Sequence, residues 1–387
     1  MTNALIVGGM AFGVPFALSV VLTALAIRVS SRVGFVDVPG GRKAHERPMP
    51  LGGGVAMFLA WCLPLLALLA LANAWKSEDK TPPRDVPASA NAAAHATTNL
   101  PAPLTLRQLL ADAASETQPV LLLLGGGAVL VLLGLADDRR GLPVSLRALV
   151  MLGVAAGLYY ASPQLRITLF TGIEGLALGY TVLWIFGITN SFNFLDNTDG
   201  LSAGVAMVAS ALLAIVGIQT GQHVMTWLAL ALAGTTAGFL VFNFPPAKIY
   251  MGDAGSLFLG FTLAVLTILF TFYKSGPAPS GSLYSVLMPL FILALPVFDT
   301  LTVIAIRLRE GRPIWVGDRS HFSHRLLALG MNKREAVLFI YLVTFCLGLA
   351  STLLHSLDVT GAVIILVIGV TIFVLIALLE RAGRRRT

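Results

Sequence analysis

Four short stretches of this 387-residue chain hold the side chains best suited to chemistry on a charged substrate. They are Asp137-Asp138-Arg139-Arg140, the string Asn190-x-x-Asn193-x-x-Asp196-Asn197-Thr198-Asp199-Gly200, the segment from Asn243 through Tyr250 and Asp253 to Ser256, and Asp318-Arg319-Ser320-His321-Phe322-Ser323-His324-Arg325. Adjacent carboxylates repel unless a cation or a shared proton lies between them. Aspartates without thiolates suit hard ions, and Mg²⁺ is commonly held by one or two carboxylates together with substrate phosphates. Gly200, Gly252 and Gly255 allow close backbone approach, and helices starting near Leu201 and Ala254 would offer unpaired N–H groups to anionic oxygen. Arginine clamps phosphate bidentately, and histidine donates or shuttles a proton. The combination points to Mg²⁺-dependent handling of a phosphorylated substrate.

Each cluster taken singly has a plainer reading. Asp137-Asp138 beside two arginines suits a solvated helix end, and Asn, Asp and Gly cap helices and make turns. His321 and His324 could be interfacial histidines. Two Asn three apart, followed by two Asp three apart, exceed what a turn requires. Joint occurrence on one side of a membrane favours a site.

The elements that must position these residues follow from composition. The chain is 56% hydrophobic and 12% charged, with a mean hydropathy of +0.84; globular chains carry about 25% charged residues. This excludes a soluble enzyme, a disordered chain and a secreted disulfide scaffold. It also excludes an outer-membrane barrel, whose segments are about 10 residues of alternating polarity. Apolar runs near 4–28, 52–75, 119–136, 145–161, 174–190, 201–219, 225–243, 254–273, 283–306, 336–355 and 359–380 predict an all-α polytopic membrane protein with about eleven transmembrane helices. The first run lacks a basic leader and is read as a retained helix. With the C-terminus cytoplasmic, 20 of the 26 Lys and Arg fall inside and six outside. The positive-inside rule then puts the N-terminus out and all four polar clusters on the cytoplasmic face. This distribution explains the net charge of +7 without nucleic acid. Cys62 and Cys346 lie in apolar runs and read as small buried hydrophobes.

Residues 76–118, rich in Ala, Pro, Thr and Asn, read as a flexible extracytoplasmic insertion in a single transmembrane catalytic domain spanning 1–387, with a short helix near 104–116. No internal repeat is evident. Asp299, after Pro296 in the ninth run, is an intramembrane carboxylate and functional by default; Arg307 is the alternative, a simple ion-pair partner.

These motifs, with Arg42-Lys43-x-His45 followed by Pro50-Leu51-Gly52-Gly53, resemble the polyprenyl-phosphate N-acetylhexosamine-1-phosphate transferase family, its WecA/TagO-like branch, which is related to the peptidoglycan translocase MraY. The resemblance covers nearly the whole chain outside 76–118. It implies transfer of a sugar-1-phosphate, N-acetylglucosamine-1-phosphate as first choice, from a UDP-sugar to undecaprenyl phosphate with release of UMP. This would be the first membrane step of cell-envelope polysaccharide synthesis at the bacterial cytoplasmic (inner) membrane. It implies Mg²⁺, with Mn²⁺ as an alternative, held by Asp253 with Asp138. Asp137 and Asp138 would handle the lipid phosphate, and His321 and His324 would line the pyrophosphate or sugar end. Asn190, Asn193, Asp196, Asp199, Asn243 and Tyr250 would position the nucleotide, Lys43 and His45 would contact phosphate, and Arg325 would bind substrate. The implied partners are the UDP-sugar, the polyprenyl phosphate and the bilayer; a homodimer is left open.

Two positions depart from the family pattern. The histidine loop there usually reads His-x-His-His, and Ser323 takes the middle place here; many members have Gly where this chain has Asn197. Asn tolerates left-handed backbone angles better than most residues. The competing donor is UDP-MurNAc-pentapeptide, ranked lower because that branch usually carries three consecutive His. From other classes, a transporter or lipid flippase should concentrate ionisable residues near the midplane, and a non-catalytic homologue would not need the intact Asp set.

Overall fold

The computed structural model describes residues 2–38, 48–78, 106–168, 173–270, 283–315 and 320–383. Arg42, Lys43 and His45, the middle of the expected insertion (79–105) and Asp318-Arg319 lie outside the described residues. Among the described residues the chain is all-α apart from a two-residue antiparallel ribbon, β1 (Val36–Asp37) with β2 (Met49–Pro50), in register Val36↔Pro50. In lipid every backbone polar group must be satisfied within the protein, so long apolar runs become helices.

The helices are α1 (Thr2–Val33), α2 (Gly53–Glu78), α3 (Leu106–Ser115), α4 (Thr117–Arg140), α5 (Val144–Ala161), α6 (Glu174–Leu195) and α7 (Leu201–Thr220). They continue with α8 (His223–Asn243), α9 (Gly252–Leu269), α10 (Met288–Ile292), α11 (Ala294–Arg309), α12 (Phe322–Ala328), α13 (Lys333–Thr352) and α14 (Val359–Gly383). Ten are long and apolar enough to cross a membrane, and eleven spans result if the bent pair Leu283–Ile292 and Ala294–Arg309 counts as one. The protein is therefore a polytopic all-α membrane protein.

The ninth run differs from a simple span: its two halves meet at 64°. Pro296, in the first turn of α11, has no N–H to give the carbonyl of Ile292, and its ring crowds that turn. The bend redirects the half that carries Asp299. The expected insertion is also narrower than 76–118. Residues 76–78 finish α2, and α3 is amphipathic with Leu109, Ala113 and Ala114 buried; Asn73 of α2 donates to Thr117 Oγ1 at 3.2 Å. Cys62 is buried as expected, whereas Cys346 is exposed on α13.

Spans α7, α8 and α9 are the most enclosed, and α1, α5 and α14 the least. From Ala254 to Val265 α9 is buried all round, which its uniformly apolar composition requires. Small residues bring its neighbours close, as is usual between membrane helices. A Cβ on Gly134 of α4 would sit 2.2 Å from the Ala254 amide nitrogen, and one on Gly54 of α2 would sit 2.2 Å from that of Gly255. The first turn of α9, with Asp253, is thus pinned between α2 and α4.

Candidate active site

Asp253 follows Gly252, whose φ of +67° suits a residue without a Cβ. Backbone bonds fix the approach: Tyr250 N donates to Pro50 O (2.9 Å), Gly53 N to Tyr250 O (3.2 Å) and Gly54 N to Met251 O (3.0 Å). The Pro50–Gly53 stretch is therefore a cradle for the α9 turn. Across from it, Asp138 accepts from the backbone N–H of Asp253 (2.9 Å) and Ala254 (3.4 Å). It caps α9 and neutralises the positive end of the helix dipole.

The Asp253 side chain meets Asn193 and Arg147. Asn193 Nδ2 donates to its Oδ1 at 2.8 Å and to Ser256 Oγ at 3.0 Å. Arg147, in the first turn of α5, donates to its Oδ2 at 3.0 Å and also pairs with Asp137. Asp137 receives the Leu142 N–H at 2.6 Å as well. One guanidinium thus bridges the helices of the first and third polar clusters, α4 and α9, through Asp137 and Asp253. No sequence motif singles out Arg147, which is one of the 20 Lys and Arg counted as inside. The signal available was its place one turn into the helix that follows Asp137 after a three-residue connection.

The Asn/Asp string forms the end of α6 and the turn into α7. Asp196, at the C-terminus of α6, is half-buried. Burial, reinforced by the negative charges of Asp253, Asp138 and Asp199, raises its carboxyl well above the ordinary carboxylate range. Asp199 meets Ala247 N (3.3 Å) and Lys333 Nζ (3.5 Å). Asn243 is buried, with its Oδ1 accepting from Gly200 N (3.0 Å) and its Nδ2 donating to Ile249 O (2.8 Å). It ties the two loops together rather than facing a ligand. Asn190 donates to Phe186 O of its own helix (2.8 Å). Burial raises the Tyr250 phenol, with Asp199, Asp37 and Asp196 adding to the shift.

The histidine loop docks on this string. Ser323 Oγ donates to Asn197 Oδ1 at 2.5 Å, and Thr198 Oγ1 lies 3.2 Å from Ser323 Oγ. The two positions that depart from the family pattern therefore touch each other. His321 is buried and packs edge-on against Phe194 (6.1 Å between centroids) and His324 (6.5 Å). Asp299 pairs with His321, not with Arg307: the bend at Pro296 aims α11 so that its carboxylate meets the loop, while Arg307 reaches Ile314 O and the Phe194 ring. Arg325, expected as a substrate-binding residue, is held internally, with Nε on Glu380 of α14 (2.9 Å) and Nη1 on Ser320 O (2.6 Å).

A cavity of about 1050 Å³ opens beside these groups, with Arg147, Asn193 and Phe194 at one end and apolar walls that include Trp184, Leu257 and Leu301. Among the described residues, no three His, Cys, Asp or Glu side chains are grouped as a ready-made metal cage. An all-oxygen set with one directed carboxylate still fits Mg²⁺, which is commonly completed by substrate phosphates.

Comparison with known proteins identifies the family. The profile described as "Glycosyl transferase family 4" matches residues 120–271, which hold Asp137, Asp138, Arg147, the Asn/Asp string and Asp253. A Bacillus subtilis protein described as a "Probable undecaprenyl-phosphate N-acetylglucosaminyl 1-phosphate transferase" is 31% identical over 95% of this chain and 90% of its own length. A Mycobacterium tuberculosis decaprenyl-phosphate N-acetylglucosaminephosphotransferase is 30% identical over 91% and 84%. An Escherichia coli K12 undecaprenyl-phosphate alpha-N-acetylglucosaminyl 1-phosphate transferase is 26% identical over 86% and 78%. With likeness along almost the whole chain, this protein belongs to glycosyl transferase family 4, in the WecA/TagO-like branch of polyprenyl-phosphate N-acetylhexosamine-1-phosphate transferases.

Proposed function

We propose that the protein transfers N-acetylglucosamine-1-phosphate from UDP-N-acetylglucosamine to undecaprenyl phosphate at the cytoplasmic face of the bacterial inner membrane. The observation that carries this is the apolar cavity that ends at Arg147 and Asn193, the two residues whose polar groups hold Asp253. A prenyl chain suits the walls, and two phosphorylated headgroups suit the end. The charge asymmetry of the loops supports the cytoplasmic placement, and this step would begin a cell-envelope polysaccharide. The relatives' names speak for N-acetylglucosamine and against the pentapeptide donor. The polar groups gather at one end of the bundle, which speaks against a midplane transport site.

In the proposed reaction an oxygen of the lipid phosphate attacks the sugar-linked phosphorus of the donor. A P–O bond forms there, the bond from that phosphorus to the pyrophosphate bridging oxygen breaks, and UMP leaves with that oxygen. Mg²⁺ held at Asp253, or Mn²⁺ in its place, would supply Lewis-acid neutralisation of the pyrophosphate. Arg147 in the cavity lining binds the lipid phosphate, and Asp137 aims Arg147. Asp138 fixes the α9 turn, and Asn193 orients the Asp253 carboxylate. Phosphoryl transfer depends mainly on such positioning and charge stabilisation. The test is purified protein with Mg²⁺, C55 phosphate and a panel of UDP-sugars, reading UMP. Release with UDP-N-acetylglucosamine that is lost in Asp253→Ala is the expected result; undiminished release in that variant removes Asp253 from the centre.

A further inference from the structure

Asp299 lies in a membrane-spanning segment with 1% of its surface exposed, and the proposed transfer does not use it. Its two carboxylate oxygens have separate tasks. Oδ1 accepts the backbone N–H of Phe322 at 2.6 Å, and Oδ2 lies 2.8 Å from His321 Nδ1. An ionised carboxylate is an acceptor only, so the ring nitrogen facing it carries the hydrogen. In the neutral ring the other nitrogen, Nε2, is then the one with the lone pair. A histidine's tautomer is set in this way by the partner of its second nitrogen. The ring has little freedom otherwise, because Phe194 lies edge-on to it and His321 is the N-cap of α12. Phe194 lines the cavity end beside Asn193.

We propose that Asp299 is a positioning residue for His321, holding the imidazole with its hydrogen on Nδ1 so that the Nε2 lone pair can take the proton of the incoming lipid phosphate. The proposal rests on the transferase reading for the meaning of Nε2, but the tautomer itself does not. It also assigns a purpose to the bend at Pro296, which brings a spanning helix's carboxylate onto a loop that also contacts Asn197 and Thr198.

The informative substitution is Asp299→Asn, which preserves size. The Phe322 N–H requires an oxygen, so the amide oxygen takes the Oδ1 place and the NH₂ faces His321 Nδ1. That nitrogen must then accept, and the hydrogen moves to Nε2. Protein labelled with ¹⁵N-histidine, with the His321 signals assigned by their loss in His321→Gln, should show the Nδ1–H form in the wild type and the Nε2–H form in Asp299→Asn. Turnover should fall roughly a hundredfold or more, as when a catalytic histidine is held in the wrong tautomer, with the KM for UDP-sugar within about twofold and the melting temperature little changed. Adding Asp299→Asn to His321→Gln should cost nothing further. An unchanged tautomer, a turnover within about threefold of wild type, or a full additional loss in the double variant would each overturn the proposal. A wild type that releases no UMP while showing the Nδ1–H form in the spectrum, switched in Asp299→Asn, would sink the transferase reading and leave the pairing intact.

Discussion

Gly134→Ala is the sharpest test of how the fold positions the chemistry. The added methyl would lie 2.2 Å from the amide nitrogen of Ala254 and 2.4 Å from the carbonyl carbon of Asp253. Both neighbours are backbone, so no rotamer change relieves the overlap. Opening 2.2 Å to the 3.4 Å of ordinary contact moves the α9 turn away from α4 by about 1.2 Å. That turn carries Asp253, and its amides hold Asp138. A displacement of about 1 Å at a reacting centre costs roughly a hundredfold in rate, and overpacking of this kind costs about 1–3 kcal/mol of stability. The expected outcome is a folded protein with kcat lowered about a hundredfold and a reduced melting temperature. Gly125→Ala, on the same helix with nothing within 4 Å of the new Cβ, is the control and should behave as wild type. Equal UMP release by the Gly134 and Gly125 variants would refute the claim that close α4–α9 packing sets the position of Asp253.

Arg147→Ala leaves Asp137 and Asp253 without their shared guanidinium, so kcat/KM for undecaprenyl phosphate should fall about a hundredfold, and Arg147→Lys, which lacks the forked geometry, should restore only part of it. Asn197 and Ser323 should be coupled: Asn197→Gly and Ser323→Ala should together change melting temperature by less than the sum of their separate effects, and strict additivity would count against their hydrogen bond. Asp196 has its carboxyl raised by burial, so its stabilisation is present below the ordinary carboxylate value and is lost as pH rises through the folded one. The melting temperature in EDTA should fall with pH across that window, and Asp196→Asn should flatten the fall; identical profiles would contradict the burial argument. Replacing 79–105 with a Gly/Ser linker should leave turnover intact, whereas removal of 76–118 takes α3 and the buried Leu109 with it and should destabilise the protein.

How much was legible in the sequence depends on whether the information is local. Hydropathy marks each span because lipid demands about 20 apolar residues, and the run at 359–380 reappears almost unchanged as α14. The Asn and Asp spacing of three marks one face at the end of α6, and Asn193 and Asp196 do gather near Asp253. Roles within the cluster depend on partners far along the chain and are not legible in this way. Asp138 caps a helix 115 residues away, Arg325 answers to Glu380, and Asn243 is used up by two backbone groups. A carboxylate in a motif can bind substrate, cap a helix or aim another side chain, and only the geometry around it separates these. Asp299 shows the same point from the other side. Its intramembrane position marks it as functional, yet Arg307 on its own helix looks the natural partner until the bend at Pro296 turns it toward the histidine loop. A sequence reading of such a site is therefore strongest on which residues assemble, and weakest on which of them meets the substrate.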